Sequence, residues 1–233
     1  MIGTPRVHHR LTDSTNQRAK ELADAGAPHG TLVTADEQTA GRGRQGRSWV
    51  APPGTAVLMS LVMRELDETT PLLPLVTAVA VCEAAEAVAP VRAQIKWPND
   101  VWIERRKLSG ILVEGRPAAG WAVVGVGVNV TTEEFPPEIA EIATSLAAAG
   151  GSTTVSATLA ALLHALDERL LDPPAAVLDA WRQRDALKGA SVRWESGSGV
   201  AAGIDDSGSL LVDTESGRLA LGAGEVHLGA LDS

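Results

Sequence analysis

The chain has 233 residues, of which 45% are hydrophobic and 21% are charged, and its formal net charge is -9. That length suffices for one large domain, or for a main domain with a small appendage. The composition is typical of a soluble globular protein and excludes a disordered or collagen-like chain. The acidic total also disfavours a protein that binds nucleic acid through a broad basic face.

The single cysteine, Cys82, cannot form a disulfide within the chain, so nothing in the sequence favours an oxidising compartment. The N-terminus lacks the apolar core and the small-residue cleavage pattern of a signal peptide. No apolar run approaches membrane-spanning length, and the apolar segment 76–88 predicts a buried or half-buried helix instead. We therefore expect a cytoplasmic protein that does not span a membrane.

The first half of the chain alternates between helices and strands. Ser14-Thr15-Asn16 predicts the start of a helix that runs through Asp24, with Ser14 or Thr15 as its cap and Gly26 as its stop. Pro71 and Pro74 open a long apolar helix that ends near residue 89. Alternating or β-branched apolar runs predict five strands, at 31–36, 56–63, 93–97, 107–114 and 121–130.

The second half predicts a pair of helices followed by a small β domain. Segments 155–170 and 175–187 have helical spacing of apolar residues and are separated by Asp172-Pro173-Pro174, which predicts a helical hairpin. From residue 191 short β-prone runs alternate with turn signals, as a small antiparallel barrel requires. A boundary near Lys188-Gly189 predicts two domains, 1–187 and 188–233.

The most informative segment is 41–47, which reads Gly-Arg-Gly-Arg-Gln-Gly-Arg. Glycine lets the backbone approach a ligand closely, and arginine offers a planar set of donors that fits carboxylate or phosphate. The segment is not a P-loop, because the Gly-Lys-Ser/Thr ending is missing, and it does not open a helix as a dinucleotide-binding motif does. It favours a loop that wraps an anion over its alternative, a solvated turn.

Two lysines and a pair of strand glycines mark further candidate positions. The chain has only four lysines, so Lys96 and Lys107 are candidate point charges, with solvation at strand ends as the alternative. Gly125 and Gly127 lie inside a predicted strand, where glycine indicates either close approach of a ligand or backbone, or plain sheet packing. The histidines have no metal-ligand spacing and Cys82 has no base partner, so we expect neither a zinc site nor a thiol nucleophile.

The chain contains, in this order, the motifs Ser14-Thr15-Asn16, Gln38, 41–49, Lys96-Trp97-Pro98-Asn99-Asp100, 107–114 and 125–129. Together these motifs resemble those of biotin protein ligases, in the form without an N-terminal DNA-binding domain, and they occur in that family's order. Gly224-Glu225-Val226 is similar to part of that family's final small domain. Thirteen residues precede Ser14, too few for a winged helix, so we expect no DNA partner.

The resemblance implies an α+β fold, with a central mixed β-sheet flanked by helices as in class II synthetases and a small C-terminal SH3-like β-barrel. It implies an ATP-dependent ligase that forms biotinyl-5′-AMP and transfers biotin to a lysine of the biotin carboxyl carrier domain of an acyl-CoA carboxylase. Biotin and ATP would be substrates, with Mg²⁺ held mainly by phosphates. The alternatives are a lipoate or octanoate ligase and a non-catalytic protein that binds biotin or its adenylate.

The resemblance also implies roles for individual residues, and the sequence itself leaves Ser14 open as a simple helix cap and Trp49 as a core residue. Gln38 follows the predicted strand 31–36, and we expect it in a loop. Asp100 is a candidate helper for Mg²⁺, and no metal ligand is assigned. The implied catalytic residues are Lys107, Arg42 and Arg44. The implied biotin-binding residues are Ser14, Thr15, Asn16, Gln38, Arg42, Gly43, Arg44, Lys107 and Gly110. The implied nucleotide-binding residues are Arg44, Arg47, Trp49, Lys96, Asn99, Asp100 and Asn129.

Overall fold

Seven strands form one mixed sheet in the order β1-β2-β3-β7-β6-β5-β4. A computed structural model describes residues 2–64, 66–67, 69–222 and 226–228. The β1 and β2 strands pair in parallel, and the other neighbours pair antiparallel. The strands are β1 Arg6–Thr12, β2 Leu32–Gln38, β3 Ala56–Met63, β4 Gln94–Lys96, β5 Asp100–Ile103, β6 Arg106–Arg116 and β7 Trp121–Asn129.

Helices cover both faces of this sheet. Helix α1, Thr15–Asp24, packs on β2, β3 and β7, and a small apolar cluster around Ala19, Val33 and Val123 lies beneath it. Helices α2, Leu73–Val88, and α3, Val155–Arg169, cover the opposite face with most of the core. Every residue of β3 and β7 is buried, because these central strands are covered on both sides.

The buried position of α2 confirms the prediction of a buried apolar helix. The statement that no run approaches membrane-spanning length was wrong, however: Thr70–Val88 spans 19 residues and is long and apolar enough for that test. The extra length comes from a 3-10 turn, Thr70–Leu72, which precedes α2 at Pro71. Core helices of soluble proteins pass the same test, and 67% of this apolar window is buried inside the protein.

The predicted helical hairpin differs in detail from the structure. Helix α4, Pro174–Arg182, follows α3, but both helices pack mainly on α2 and not on each other. Helix α4 also ends five residues before the predicted Leu187. The reason is a parallel bridge to β4, in which Ile95 N donates to Arg184 O at 2.7 Å and Ala186 N donates to Ile95 O at 2.9 Å. These bonds hold the segment after α4 in an extended conformation.

A second, five-stranded antiparallel sheet follows, in the order β11-β10-β9-β8-β12. Its buried residues, such as Val192 and Leu210, belong to the same core as α2. The sheet confirms a small antiparallel unit, whereas barrel closure and the domain boundary at 187/188 stay predictions. Gly224 and Glu225 lie outside the described residues. The strands are β8 Ser191–Trp194, β9 Gly197–Ile204, β10 Leu210–Thr214, β11 Gly217–Leu221 and β12 His227–Leu228.

Two strands of the central sheet were not predicted. Strand β1 lies at the edge of the sheet and its side chains are exposed or half-buried, so its sequence has no apolar alternation that would indicate a strand. Strand β5 has four residues and is joined to β4 and β6 by tight turns. Both strands owe their conformation to pairing with neighbours that the local sequence does not specify.

Candidate functional site

The predicted site residues converge on one cleft on the α1 face of the sheet. Its walls are the N-terminus of α1, the loop between β2 and β3, the segment 96–100, and parts of β6 and β7. Of the predicted residues, all of which the structure describes, Asn129 alone does not line the cleft. The predicted residues that line it are Ser14, Thr15, Asn16, Gln38, Arg42, Gly43, Arg44, Arg47, Trp49, Lys96, Asn99, Asp100, Lys107 and Gly110.

Gln38, which we expected in a loop, holds the start of α1. It is the last residue of β2 and does not lie in a loop. Gln38 Oε1 accepts hydrogen bonds from Thr15 N at 2.7 Å and from Thr15 Oγ1 at 3.0 Å. Ser14 has the extended backbone of a cap residue, but its side chain makes no capping hydrogen bond. The helix is therefore capped from the sheet, and the Ser14 hydroxyl lies in the cleft wall.

Asn16 belongs to a buried network that ends at Glu114. Asn16 Nδ2 donates to Glu114 Oε2 at 3.0 Å and to Leu112 O at 3.3 Å. Ser60 Oγ donates to Asn16 Oδ1 at 2.6 Å. Both donors of the Asn16 amide are thus used inside the protein. Gly125 faces this amide, and a Cβ at Gly125 would overlap it, so the glycine makes room for a protein side chain.

Glu114 joins this network to two cations. Its Oε1 lies 2.8 Å from Lys20 Nζ and 3.7 Å from Arg42 NH1. Burial alone raises the pKa of Glu114, but hydrogen bonds from Lys20 and Asn16 outweigh burial and hold that pKa below its ordinary value. Sequence reasoning assigned Glu114 no role. The available signal was an acidic residue at the end of an apolar strand.

The loop 41–49 folds back on itself as a narrow hairpin. Gly43 N donates to Arg47 O at 2.7 Å, and Trp49 N donates to Gly41 O at 3.0 Å. Gly46 takes a φ of 76°, which favours glycine. A Cβ at Gly41 would lie 2.8 Å from Gln38 Nε2, so this position also excludes a side chain. The glycines therefore serve the loop's own fold, while its backbone and arginines line the cleft.

The loop arginines face different walls of the cleft. Arg42 lies toward Glu114, as described above, whereas Arg44 NH1 donates to Asn99 Oδ1 at 3.3 Å. Asn99 is held in turn by β6, because its Nδ2 donates to Ile111 O at 2.7 Å. Arg47 is exposed and lines the cleft. The loop therefore brings three positive charges to the cleft.

Lys107 lies in the cleft beside an acidic partner. Its Nζ is 2.7 Å from Asp100 Oδ1, and 5.9 Å from the centre of the Trp49 ring. Two backbone hydrogen bonds to the segment 142–144 hold Lys107 in place. Its N–H donates to Ile142 O at 2.7 Å, and its carbonyl accepts from Thr144 N at 2.9 Å. A Cβ at Gly110 would lie 3.3 Å from Lys107 Nζ, so the glycine leaves room for the ammonium group.

Trp49 is half-buried and forms part of the cleft surface. Its indole lies over β7, where a Cβ at Gly127 would overlap the ring. Its Nε1 is buried and has no hydrogen-bond partner among the described residues. The strand glycines Gly125 and Gly127 thus permit close approach of protein side chains, Asn16 and Trp49, which the two sequence interpretations did not include.

Asn129 lies apart from the cleft. It is buried at the end of β7, and its Nδ2 donates to Thr144 O at 3.0 Å.

Within the described ranges no group of three or more His, Cys, Asp or Glu residues could hold a metal ion. Cys82 is enclosed in α2, where burial raises the pKa of its thiol.

Comparisons with known proteins agree with this arrangement. Residues 8–130 match the biotin/lipoate A/B protein ligase family, and residues 195–229 match the biotin protein ligase C-terminal domain. The bifunctional ligase/repressor BirA of Bacillus subtilis is 36% identical over 98% of this chain and 75% of its own length. The biotin–[acetyl-CoA-carboxylase] ligase of Mycobacterium tuberculosis is 35% identical over 93% of this chain and 86% of its own length.

Solved structures extend the comparison to the whole fold. The biotin protein ligase from Aquifex aeolicus in complex with biotin and ATP superposes with a TM-score of 0.86 at 30% sequence identity. The match covers 97% of this chain and 99% of that chain, so it includes both sheets.

Proposed function

Because the chain belongs to the biotin/lipoate A/B protein ligase family, we propose that it is an ATP-dependent biotin ligase. It forms biotinyl-5′-AMP from biotin and ATP and transfers biotin to a lysine of a carrier protein, which we propose is the biotin carboxyl carrier domain of an acyl-CoA carboxylase. The observation that carries the proposal is the convergence of the arginine loop, Lys107 and the start of α1 on one cleft.

The end of the cleft at α1 suits the ureido group of biotin. A urea offers one strong acceptor and two N–H donors, so it needs both kinds of partner. The Ser14 side chain makes no capping hydrogen bond, and Gln38 keeps its amide Nε2 as a donor. Thr15 and Asn16 line the same end, and their side chains hold the wall through Gln38 and Ser60. Arg42, Gly43 and Gly110 complete the proposed biotin site.

The first step brings together two groups of like charge. A biotin carboxylate oxygen forms a bond to the α-phosphorus of ATP, and the bond from that phosphorus to the leaving pyrophosphate breaks. Fixed positive charge lowers the barrier to such an approach. Lys107 is placed to neutralise the carboxylate, with Arg44 and Arg47 toward the phosphates. The adjacent Asp100 carboxylate orients the Lys107 ammonium group.

The remaining proposed nucleotide contacts come from Trp49, Lys96, Asn99 and Asp100, which surround the same end of the cleft. Mg²⁺ is bound in such sites by phosphates and by one or two carboxylates. Asp100 is a carboxylate that lines this cleft, so the residues fit an ion held mainly by ATP. When bound, Mg²⁺ would neutralise phosphate charge.

The second step is an aminolysis. The ε-amine of the carrier lysine attacks the acyl carbon of biotinyl-5′-AMP, a C–N bond forms, the C–O bond to AMP breaks, and the amine loses a proton. The anhydride must be kept from water before the carrier arrives. The loop 41–49, whose backbone lines the cleft, is the proposed cover.

Pyrophosphate release measured separately with biotin, lipoate and octanoate, each with ATP and Mg²⁺, tests the proposal. We expect release with biotin. Release with lipoate or octanoate alone would establish the rival acyl ligase, and binding of biotin without release would establish a non-catalytic binding protein. The cytoplasmic location and the absence of a DNA partner stay predictions.

A further inference from the structure

A turn of the C-terminal sheet contacts the motif 96–100 from outside the cleft. Trp97 Nε1 donates to Gly208 O at 3.0 Å, and Trp97 is only 2% exposed. Gly208 has a φ of 82°, and a Cβ there would lie 2.7 Å from Leu75 Cδ1. The turn therefore fits closely between Trp97 and the beginning of α2, and the hydrogen bond connects segments 111 residues apart in sequence.

The turn that presents Gly208 is rigid. Asp205 Oδ1 accepts hydrogen bonds from Ser207 N at 2.9 Å, Ser207 Oγ at 2.7 Å and Ser209 N at 2.9 Å. Arg182 of α4 lies 2.7 Å from Asp206 Oδ1. An aspartate that accepts hydrogen bonds from the backbone two residues ahead fixes a turn locally. These contacts hold the Gly208 carbonyl in the position where it accepts the hydrogen bond from Trp97.

Trp97 lines the cleft together with the residues on both sides of it. Lys96 precedes it, and Asn99 and Asp100 follow. Asn99 contacts the loop through Arg44, and Asp100 contacts Lys107. Because a hydrogen-bonded chain segment moves as a unit, the position of the Trp97 indole affects all of these contacts.

We propose that Trp97 is a positioning residue that couples the C-terminal sheet to the nucleotide side of the cleft. Its hydrogen bond to Gly208 holds the segment 96–100 so that Lys96, Asn99 and Asp100 face the substrate. The biotin end, built on α1 and β2, does not depend on this bond. The inference rests on the proposed function, and it gives Trp97 a role that acts through the residues beside it.

The test compares two Trp→Phe variants with the same chemical change. Trp97→Phe removes an N–H that is bonded, whereas Trp181→Phe removes one from a fully buried tryptophan whose Nε1 has no partner among the described residues. The free-energy cost of a buried carbonyl that is left unpaired corresponds to a change of about fivefold or more in an equilibrium constant. We expect the KM for ATP to rise about fivefold or more in Trp97→Phe, with biotin affinity, measured by calorimetry without ATP, within about twofold of wild type.

Gly208→Ala tests the contact from its other side. The added methyl group would lie 2.7 Å from Leu75 Cδ1, and alanine is strained at a φ of 82°. This variant should therefore shift the turn and raise the KM for ATP as Trp97→Phe does. The double variant should be no worse than the more affected single variant, because both changes break one contact. Unfolding midpoints close to that of Trp181→Phe establish that the variants are folded.

The outcomes separate this inference from the proposed function. If the wild-type protein releases pyrophosphate and Trp97→Phe has the same KM for ATP as Trp181→Phe, the positioning role is wrong. Equal losses of ATP and biotin binding in Trp97→Phe also overturn it, since they indicate a general structural role. If the wild-type protein releases no pyrophosphate with any acid, the proposed function is wrong, and the inference about Trp97 that rests on it is wrong as well.

Discussion

Lys107 Nζ lies 2.7 Å from Asp100 Oδ1, and each residue comes from a different strand of one β-hairpin, β5–β6. The pair lines the cleft between the arginine loop and the nucleotide-side residues. A lysine held in this way is aimed before any substrate arrives, and such preorganisation is what makes a fixed charge effective in a transition state.

Replacing Lys107 should therefore affect chemistry far more than folding. We expect Lys107→Ala to lower the rate of pyrophosphate release about 100-fold or more, because one charge that stabilises the transition state is lost. The Lys107 side chain is 37% exposed, so the free energy of unfolding measured in urea should change little. Lys188→Ala, at an exposed lysine outside the cleft, is the matched control. An unchanged adenylation rate in Lys107→Ala would remove this residue from the mechanism.

Ser14 and Thr154 occupy the same position before their helices but differ in function. Thr154 Oγ1 accepts a hydrogen bond from Ala157 N at 3.1 Å, whereas the Ser14 side chain makes no capping bond. Thr154→Ala should lower the free energy of unfolding by about 1 kcal/mol. Ser14→Ala should lower it by much less and instead weaken biotin binding. Urea titration and calorimetry measure the two effects, and a cap-sized stability loss in Ser14→Ala without weaker binding would contradict the proposed biotin contact.

Gly127 is required by the Trp49 side chain. Gly127→Ala should push the indole out of its position and cost about 1–3 kcal/mol of stability, as overpacking does. It should also change the fluorescence of Trp49 and weaken ATP binding. The control is Gly115→Ala on β6, where a Cβ would meet the Ala122 Cβ at an ordinary 3.4 Å. Equal behaviour of the two variants would show that Trp49 does not depend on this glycine.

Glu114 should make the stability of the fold depend on acid pH. Its pKa in the folded protein is below the ordinary 4.5, so the carboxylate contributes stability above the unfolded-state pKa. That contribution is lost as the pH falls from about 4.5 through the folded-state pKa.

Glu114→Gln removes the ionisable group, so we expect its unfolding free energy to fall less than that of wild type between pH 7 and pH 4. Urea titrations at the two pH values measure this difference. Glu104→Gln, at an 80% exposed side chain, is the control and should behave as wild type. Identical pH dependence in Glu114→Gln and wild type would contradict the role of the Lys20 and Asn16 contacts.

The sequence specified the elements that have strong local patterns. The apolar run of β3 was predicted at its observed bounds, and the helix after Ser14 begins and ends as expected. The motifs also indicated which segments converge, because arginine and lysine were used where packing did not require them.

The rest depended on contacts between distant residues. The role of Glu114 becomes visible only when β6 lies beside α1, 98 residues from Asn16 in sequence. Gln38 was assigned to a loop because its pairing with β1 cannot be read locally. Asn129 follows three cleft residues in its motif, yet the end of β7 passes beyond the cleft toward Thr144. Each of these three positions depends on how the strands pair, and the local sequence does not determine that pairing.

The most direct test of the central claim is the mass of a biotin carboxyl carrier domain after incubation with this protein, biotin, ATP and Mg²⁺. We expect one biotin to be added at a single lysine, with one pyrophosphate released per carrier modified. Omission of ATP should abolish the mass change. An unmodified carrier together with no pyrophosphate release, under conditions where the protein is folded and binds biotin, would contradict the claim that it is a biotin ligase.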